Sequence, residues 1–193
     1  MNITFLGAAK TVTGSNFLLE AAGKKIIIDC GLYQGKAKEE QENYNDFAYN
    51  VSEIDCMLLT HAHIDHSGRI PKLYVDGYRG PVIATKATCD LCAIMLPDSG
   101  HIQEMENVWQ NKKRARQGKP AMPPLYTAQD AIDCLKLFKP VSYDEIIDID
   151  ENISVRFNDA GHMLGSSIIE IWVKENGETK KIVFSGDLGN NDI

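Results

Sequence analysis

The chain has 193 residues, of which 44% are hydrophobic and 24% charged, enough apolar material for one folded domain and too much for a disordered chain. Its net charge of -7 disfavours a free-standing nucleic-acid-binding module, because such modules rely on Lys and Arg to release counterions from phosphates. No apolar run nears the roughly 20 residues that span a bilayer, and the opening MNITFLGAAK has neither a basic leader nor a long apolar segment, so the expected location is the cytoplasm, with no membrane partner.

Short alternating or apolar runs come first. ITFL (3–6), SNFLLEA (15–21), KKIIID (24–29) and CMLLT (56–60) read as strands, separated by the loop GAAKTVTG and by a polar stretch at 34–50 with at most one helical turn. A helix with Ser67 as its cap and with Ile70, Leu73 and Tyr74 along one face ends near Gly77. PVIAT (81–85) is a further strand. Residues 86–116 are mostly helical, with Pro97 and Gly100 marking a break or kink, and 127–138 form an amphipathic helix. The chain then returns to strands at DEIIDI, SVRFNDA and the segment from Ser167 to Asp187, where Asn176-Gly177 has the dipeptide of a tight hairpin turn. Strands at both ends with helices between them predict an α/β sandwich.

The chemistry concentrates at LTHAHIDHSGRIPKL (59–73), which holds three of the chain's five histidines within six consecutive residues. The apolar run CMLLT should end inside a sheet, so HAHIDH emerges at the carboxyl end of a buried strand, a usual place for active-site loops. His61 and His63, two apart on an extended segment, point the same way and can grip one metal; Asp65 and His66 follow a turn and can address a second. Imidazole with carboxylate suits zinc, and also manganese or iron, better than calcium or magnesium. Burying three histidines without a metal would require partners for six ring nitrogens in one small volume.

Two later strand ends supply further candidates. His162 lies in a glycine-containing turn after SVRFNDA, and Asp187 ends IVFSGD, where a carboxylate could bridge two cations. Asp29, closing KKIIID in an uncharged neighbourhood, needs a polar partner and is assigned to orienting a ligand rather than binding metal. Other features carry less. Cys89-x-x-Cys92 has no second pair, and the five cysteines (Cys30, Cys56, Cys89, Cys92, Cys134) read as reduced thiols. GAAKTVTGS lacks phosphate-loop spacing, His101 has no ligand partner nearby, and NKKRARQGK (111–119) reads as a solvated helix end more readily than as an RNA contact.

Asp29, the H-x-H-x-D-H run from His61 to His66, His162 and Asp187 resemble, in order, the motifs of the metallo-β-lactamase superfamily. TVTGSNFLLE, IIIDCGLYQG, THAHIDHSGRIPKL, AGHMLGSSIIEI and FSGDLGN are similar to its β-CASP branch, whose members process RNA or DNA. The resemblance implies an αββα sandwich, two zinc ions and phosphodiester hydrolysis with RNA as substrate. By it, His61, His63 and His162 hold one metal and Asp65 and His66 the other, with Asp187 between them; Asp65 also receives or steers a water proton. The branch carries a further histidine and an inserted cap that do not occur here, so residues 1–193 are expected to be the N-terminal portion of a longer protein, cut near the insertion point. Missing strands would leave an edge able to form a homodimer. Two other readings stay open: a small-molecule hydrolase of thioester, lactone or β-lactam, and a catalytically silent partner subunit. A flavin-diiron oxidoreductase fits less well, because that branch resembles H-x-E-x-D-H and this chain has His63.

Overall fold

The computed structural model describes residues 1–190. In chain order it contains β1 (Asn2–Phe5), β2 (Phe17–Ala21), β3 (Lys24–Ile28), α1 (Ala37–Gln41), β4 (Cys56–Leu58), α2 (Ile64–Ser67), α3 (Ile70–Val75) and β5 (Val82–Thr85). The long α4 (Lys86–Arg116) and α5 (Ala128–Cys134) follow, then β6 (Phe138–Val141), β7 (Ile146–Asp148), β8 (Ile153–Asp159), β9 (Ser167–Glu175) and β10 (Glu178–Phe184).

The strands form two sheets. One has the order β1-β2-β3-β4-β5-β6, antiparallel from β1 to β3 and parallel from β3 to β6. The other is the antiparallel sheet β10-β9-β8-β7. Alternation within the strands decides what lies between them. Leu19, Ile26, Ile28 and Leu58 of the larger sheet pack against Val155, Phe157, Ile169 and Ile171 of the smaller, all of them fully buried. Ile27, Met57 and Val82 point the other way and meet Ile70 and Leu73 of α3, Cys92 and Leu96 of α4, and Ala131 of α5. Each fully buried Leu or Ile contributes about 1.5–3 kcal/mol, so these two layers fix which face of the larger sheet carries the helices. The αββα expectation is met in its helix–sheet–sheet order. The outer face of the smaller sheet carries Trp172 and an ion network in which Glu170 pairs with Arg156 and Lys181.

Three local expectations change. Arg69, rather than Ser67, stands at the cap of α3, the helix that carries Ile70, Leu73 and Tyr74; Ser67 closes the short α2 before it, its Oγ donating to the carbonyls of Ala62 at 2.9 Å and His63 at 3.0 Å. α4 runs as one helix through Pro97 and Gly100, without the break that was one of the two expectations there. The helix expected over 127–138 stops at Cys134, and Phe138–Val141 become a strand parallel to β5. Pro140 cannot donate to a ladder, and β6 is an edge strand, where that donor is not needed.

Candidate metal centre

The parallel strands β3 and β4 end side by side, and the backbone after each turns into the same space. Asp29, the first residue beyond β3, takes φ = 57°, a left-handed conformation uncommon for a residue with a side chain. Its amide donates to the Leu58 carbonyl at 3.0 Å and its own carbonyl accepts from Asn16 Nδ2 at 2.6 Å. The carboxylate, 1% exposed, accepts at Oδ1 from the Thr60 amide at 2.8 Å and at Oδ2 from Ser15 Oγ at 3.2 Å. It also faces Thr60 Oγ1 at 2.9–3.0 Å and His66 Nδ1 at 2.7 Å. A buried carboxyl group with this many donors has both oxygens satisfied.

These bonds set the histidine tautomers. The His66 proton on Nδ1 goes to Asp29, so in the neutral ring Nε2 is the acceptor. Thr60 Oγ1 gives its one proton to Asp29 and lies 3.0 Å from His61 Nδ1, so it accepts from that nitrogen and leaves His61 Nε2 bare as well. Burial, followed by the neighbouring His66 ring, holds the His61 pKa down to about 4, so this imidazole is neutral, the form that ligates metals. For His66 burial pulls downward, but the hydrogen bond and charge of Asp29, with the charges of Asp187 and Asp65, raise its pKa overall.

The remaining side chains arrive from the smaller sheet. His162 lies in the turn between β8 and β9, its amide donating to Ser166 Oγ at 3.2 Å. The same turn is anchored where β5 passes into α4, because Thr85 Oγ1 and Thr88 Oγ1 both donate to the Gly165 carbonyl, at 2.7 and 2.8 Å. Asp187 follows β10 after Gly186, whose φ of 54° and close approach to Thr60 leave no space for a Cβ: one would lie 2.9 Å from Thr60 Cβ. Gly31 has the same kind of function on the other side. An added Cβ there would fall 1.6 Å from the Asp65 carbonyl oxygen, so only glycine lets the Cys30–Gly31 segment lie against the Asp65–His66 turn.

The structure thus brings together all six residues that the sequence offers as ligands. His63 Nδ1 is 3.1 Å from both His61 Nε2 and His162 Nε2. Together with Asp187, these three offer ligand atoms that all lie within 4.8 Å of one another. Asp65 and His66 lie outside that group of four and adjoin it through Asp187. Asp187 Oδ2 is 3.6 Å from His162 Nε2 and 3.9 Å from His61 Nε2, while Oδ1 is 3.4 Å from His66 Nε2, which is itself 3.9 Å from Asp65 Oδ2.

The sequence reading did not single out Thr60, Ser15 or Arg69. Thr60 had a signal: a hydroxyl ends an apolar strand directly before the first ligand. Arg69 is buried, donates Nε to the Gly31 carbonyl at 2.7 Å and lies about 5 Å from the Tyr33 and Phe47 ring centres, so it clamps the segment that touches Asp65. Cys89 and Cys92 are free thiols on α4 whose burial raises both pKa values, Cys89 to about 11, as expected of apolar packing rather than reactivity.

Known proteins resemble this chain to different extents. "Ribonuclease TTHA0252" of Thermus thermophilus is 39% identical over 192 residues, covering all of this chain and 39% of that protein. "Transcription termination factor FttA" of Methanosarcina mazei is 33% identical over 192 residues, covering 97% of this chain and 27% of its own length. The chain therefore spans about two-fifths or less of these relatives. Among solved structures, MEM-A1, a subclass B3 metallo-β-lactamase isolated from a soil metagenome library, superposes with a TM-score of 0.55 at 20% identity, over 94% of this chain and 59% of that one, a likeness of fold. The family described as "Metallo-beta-lactamase superfamily domain" matches residues 18–190, a span that takes in Asp29 and every ligand candidate from His61 to Asp187. By that match, the chain belongs to the metallo-β-lactamase superfamily.

Proposed function

We propose that this chain carries the metal centre of a zinc-dependent phosphodiesterase that cleaves RNA. The observation that carries the reading is the division of Asp187 between two sets of imidazoles, Oδ2 toward His61 and His162 and Oδ1 toward His66. One carboxylate so placed can serve two cations. The donor set fits zinc, with manganese or iron compatible: nitrogens 3.1 Å apart approach the roughly 3.3 Å edge of a tetrahedron with Zn–N near 2.0–2.1 Å.

In this reading His61, His63, His162 and Asp187 hold one zinc ion, and Asp65, His66 and Asp187 hold the other. Bound cations supply Lewis acidity, offsetting charge on a phosphoryl oxygen and lowering the pKa of water toward neutrality. The protein's side chains do the rest. Asp29 and Thr60 keep protons on the far nitrogens of His66 and His61, so the near nitrogens stay free as ligands. Asp65, with a side chain 21% exposed, is open enough to take up a proton from attacking water. RNA as substrate is favoured by the match of this whole chain to 39% of a protein named as a ribonuclease.

The test is hydrolysis of bis(p-nitrophenyl) phosphate and of end-labelled single-stranded RNA by zinc-loaded protein. Asp187→Asn and His63→Ala should each lower turnover by at least about 100-fold, as expected when a group held at the reacting centre is removed. Turnover that survives either substitution in a folded variant would overturn the reading.

A further inference from the structure

We propose that the cleft beside α4 is the track of a single-stranded RNA, with Trp109 stacking on a base and Lys113 and Arg114 holding its phosphates. The inference rests on the phosphodiesterase reading and extends it to where the strand lies. A cavity of about 780 Å³ separates α4 from the segment that follows β3. Its inner end is formed by Leu32 and Ile64, and Ile64 stands between His63 and Asp65 on the chain, so the cleft reaches the helix that carries two of the candidate ligands, although no ligand side chain lines it. Its outer end is formed by Trp109, Lys113 and Arg114. From Met95 to Lys113 the helix wall extends about 27 Å at 1.5 Å per residue, room for several nucleotides.

The chemistry of the walls selects the ligand. Trp109 is 66% exposed, a large aromatic surface left in water on the wall of a cleft. Lys113 Nζ lies 5.8 Å from its ring centre, so a base stacked there would have a cation beside its phosphate. The basic run read from sequence as a solvated helix end is thereby brought to the mouth of a cleft. Arg114 donates Nε to the Pro120 carbonyl at 2.8 Å, which fixes the guanidinium while directing its terminal nitrogens elsewhere. The same strap is tied to the helix by Asn107 and Asn111, whose Nδ2 groups donate to the Met122 carbonyl at 3.0 and 2.8 Å. The wall is built before any ligand arrives.

Single-stranded RNA fits better than a duplex. Cations occupy one end only, while Glu40, Asp98 and Glu106 line the inner stretch and disfavour the two phosphate backbones of a duplex more than the one of a single strand, which can turn its phosphates outward. Bases, which carry no charge, can lie there against Met95, Ile102 and the Gln103 amide.

The chain has two tryptophans, Trp109 and Trp172, so Trp172→Phe leaves Trp109 as the sole reporter. That protein is titrated with a short oligouridylate and with duplex RNA of equal length, in chelator so that no strand is cut. The expected result is saturable quenching of Trp109 emission by the single strand and weaker binding of the duplex. Trp109→Ala should weaken single-strand affinity by roughly fivefold or more, as loss of one stacked base does. Lys113→Ala should flatten the slope of log affinity against log salt by about 0.7. Both side chains are exposed, and a melting curve for each variant establishes that it is folded. Unchanged emission, absent RNA binding, or Trp109→Ala binding as tightly as the parent would each overturn the proposal. If the wild-type chain hydrolyses the small diester while Trp109 stays silent, the cleft assignment alone fails. If RNA quenches Trp109 but zinc-loaded protein cuts no diester, the phosphodiesterase reading fails and the binding track stands.

Discussion

His66 Nδ1 lies 2.7 Å from Oδ2 of the buried Asp29 carboxylate, a contact that ties the end of β3 to α2. Through it Asp29, which is not itself placed as a metal ligand, fixes which nitrogen of His66 faces Asp187. Asp29→Asn keeps the shape and removes the charge, and its amide nitrogen would oppose the donors that Asp29 now accepts. The expected outcome is a 10- to 100-fold loss of zinc affinity, typical for a group that orients a metal ligand. Competition with a chromophoric chelator measures it; an affinity equal to wild type would remove Asp29 from that function.

The three-histidine arrangement predicts metal content directly. A His61→Ala, His63→Ala variant should retain less zinc than wild type when both are reloaded and desalted, since two of the three nitrogens that meet at 3.1 Å are gone. Elemental analysis decides it. Equal zinc in both proteins would sink the assignment.

Gly31→Ala tests the close approach. The new Cβ would fall 1.6 Å from the Asp65 carbonyl oxygen, a backbone atom that cannot swing away. The turn holding Asp65 and His66 must shift, so both melting temperature and zinc affinity should fall, with a stability loss on the order of 1–3 kcal/mol, as for overpacking in a fixed site. A variant that melts and binds zinc as wild type would show that the segment yields freely.

On the opposite face of the molecule Glu170 gives a pH-dependent prediction away from the metal centre. The Lys181 ammonium, against partial burial and with help from Asn158 and Arg156, holds its pKa down to about 2 from an ordinary 4.5. A depressed carboxylate pKa stabilises the fold above the ordinary value, and that contribution is lost as pH falls from 4.5 toward 2. Glu170→Gln should therefore lower the melting temperature near neutral pH, and the gap from wild type should close as pH drops through that window. A gap that stays constant with pH would mean that packing, not charge, is what the substitution removes.

The short-range part of this protein was legible in its residues. The apolar run ending at Thr60 announces a buried strand, and the histidines and aspartate after it announce a site, because strand alternation and ligand chemistry both act over a few neighbouring residues. Asp29, His162 and Asp187 could be nominated for the same reason, each standing where an apolar strand meets a glycine. Boundaries set by competition were not legible. Leu135–Phe138 close a helical pattern over 127–138 locally, yet the helix stops at Cys134 and the edge beside β5 offered the carbonyls and amides that made a strand beginning at Phe138.

What only the tertiary structure decided is which atoms face one another. His63 and His162 are 99 residues apart, and their nitrogens meet because two sheets pack face to face through Ile28, Leu58, Phe157 and Ile169. The sequence offered Asp187 as a bridge, but the direction of each of its oxygens depends on the turn after β10 packing against Thr60. The tautomers of His61 and His66 depend on Thr60 and Asp29, which belong to different strands. Residue type specifies what a side chain can bind. Hydrogen-bond partners at 3 Å are specified only when the strands that carry them are fixed in register, because an error of one residue sends every side chain to the other face.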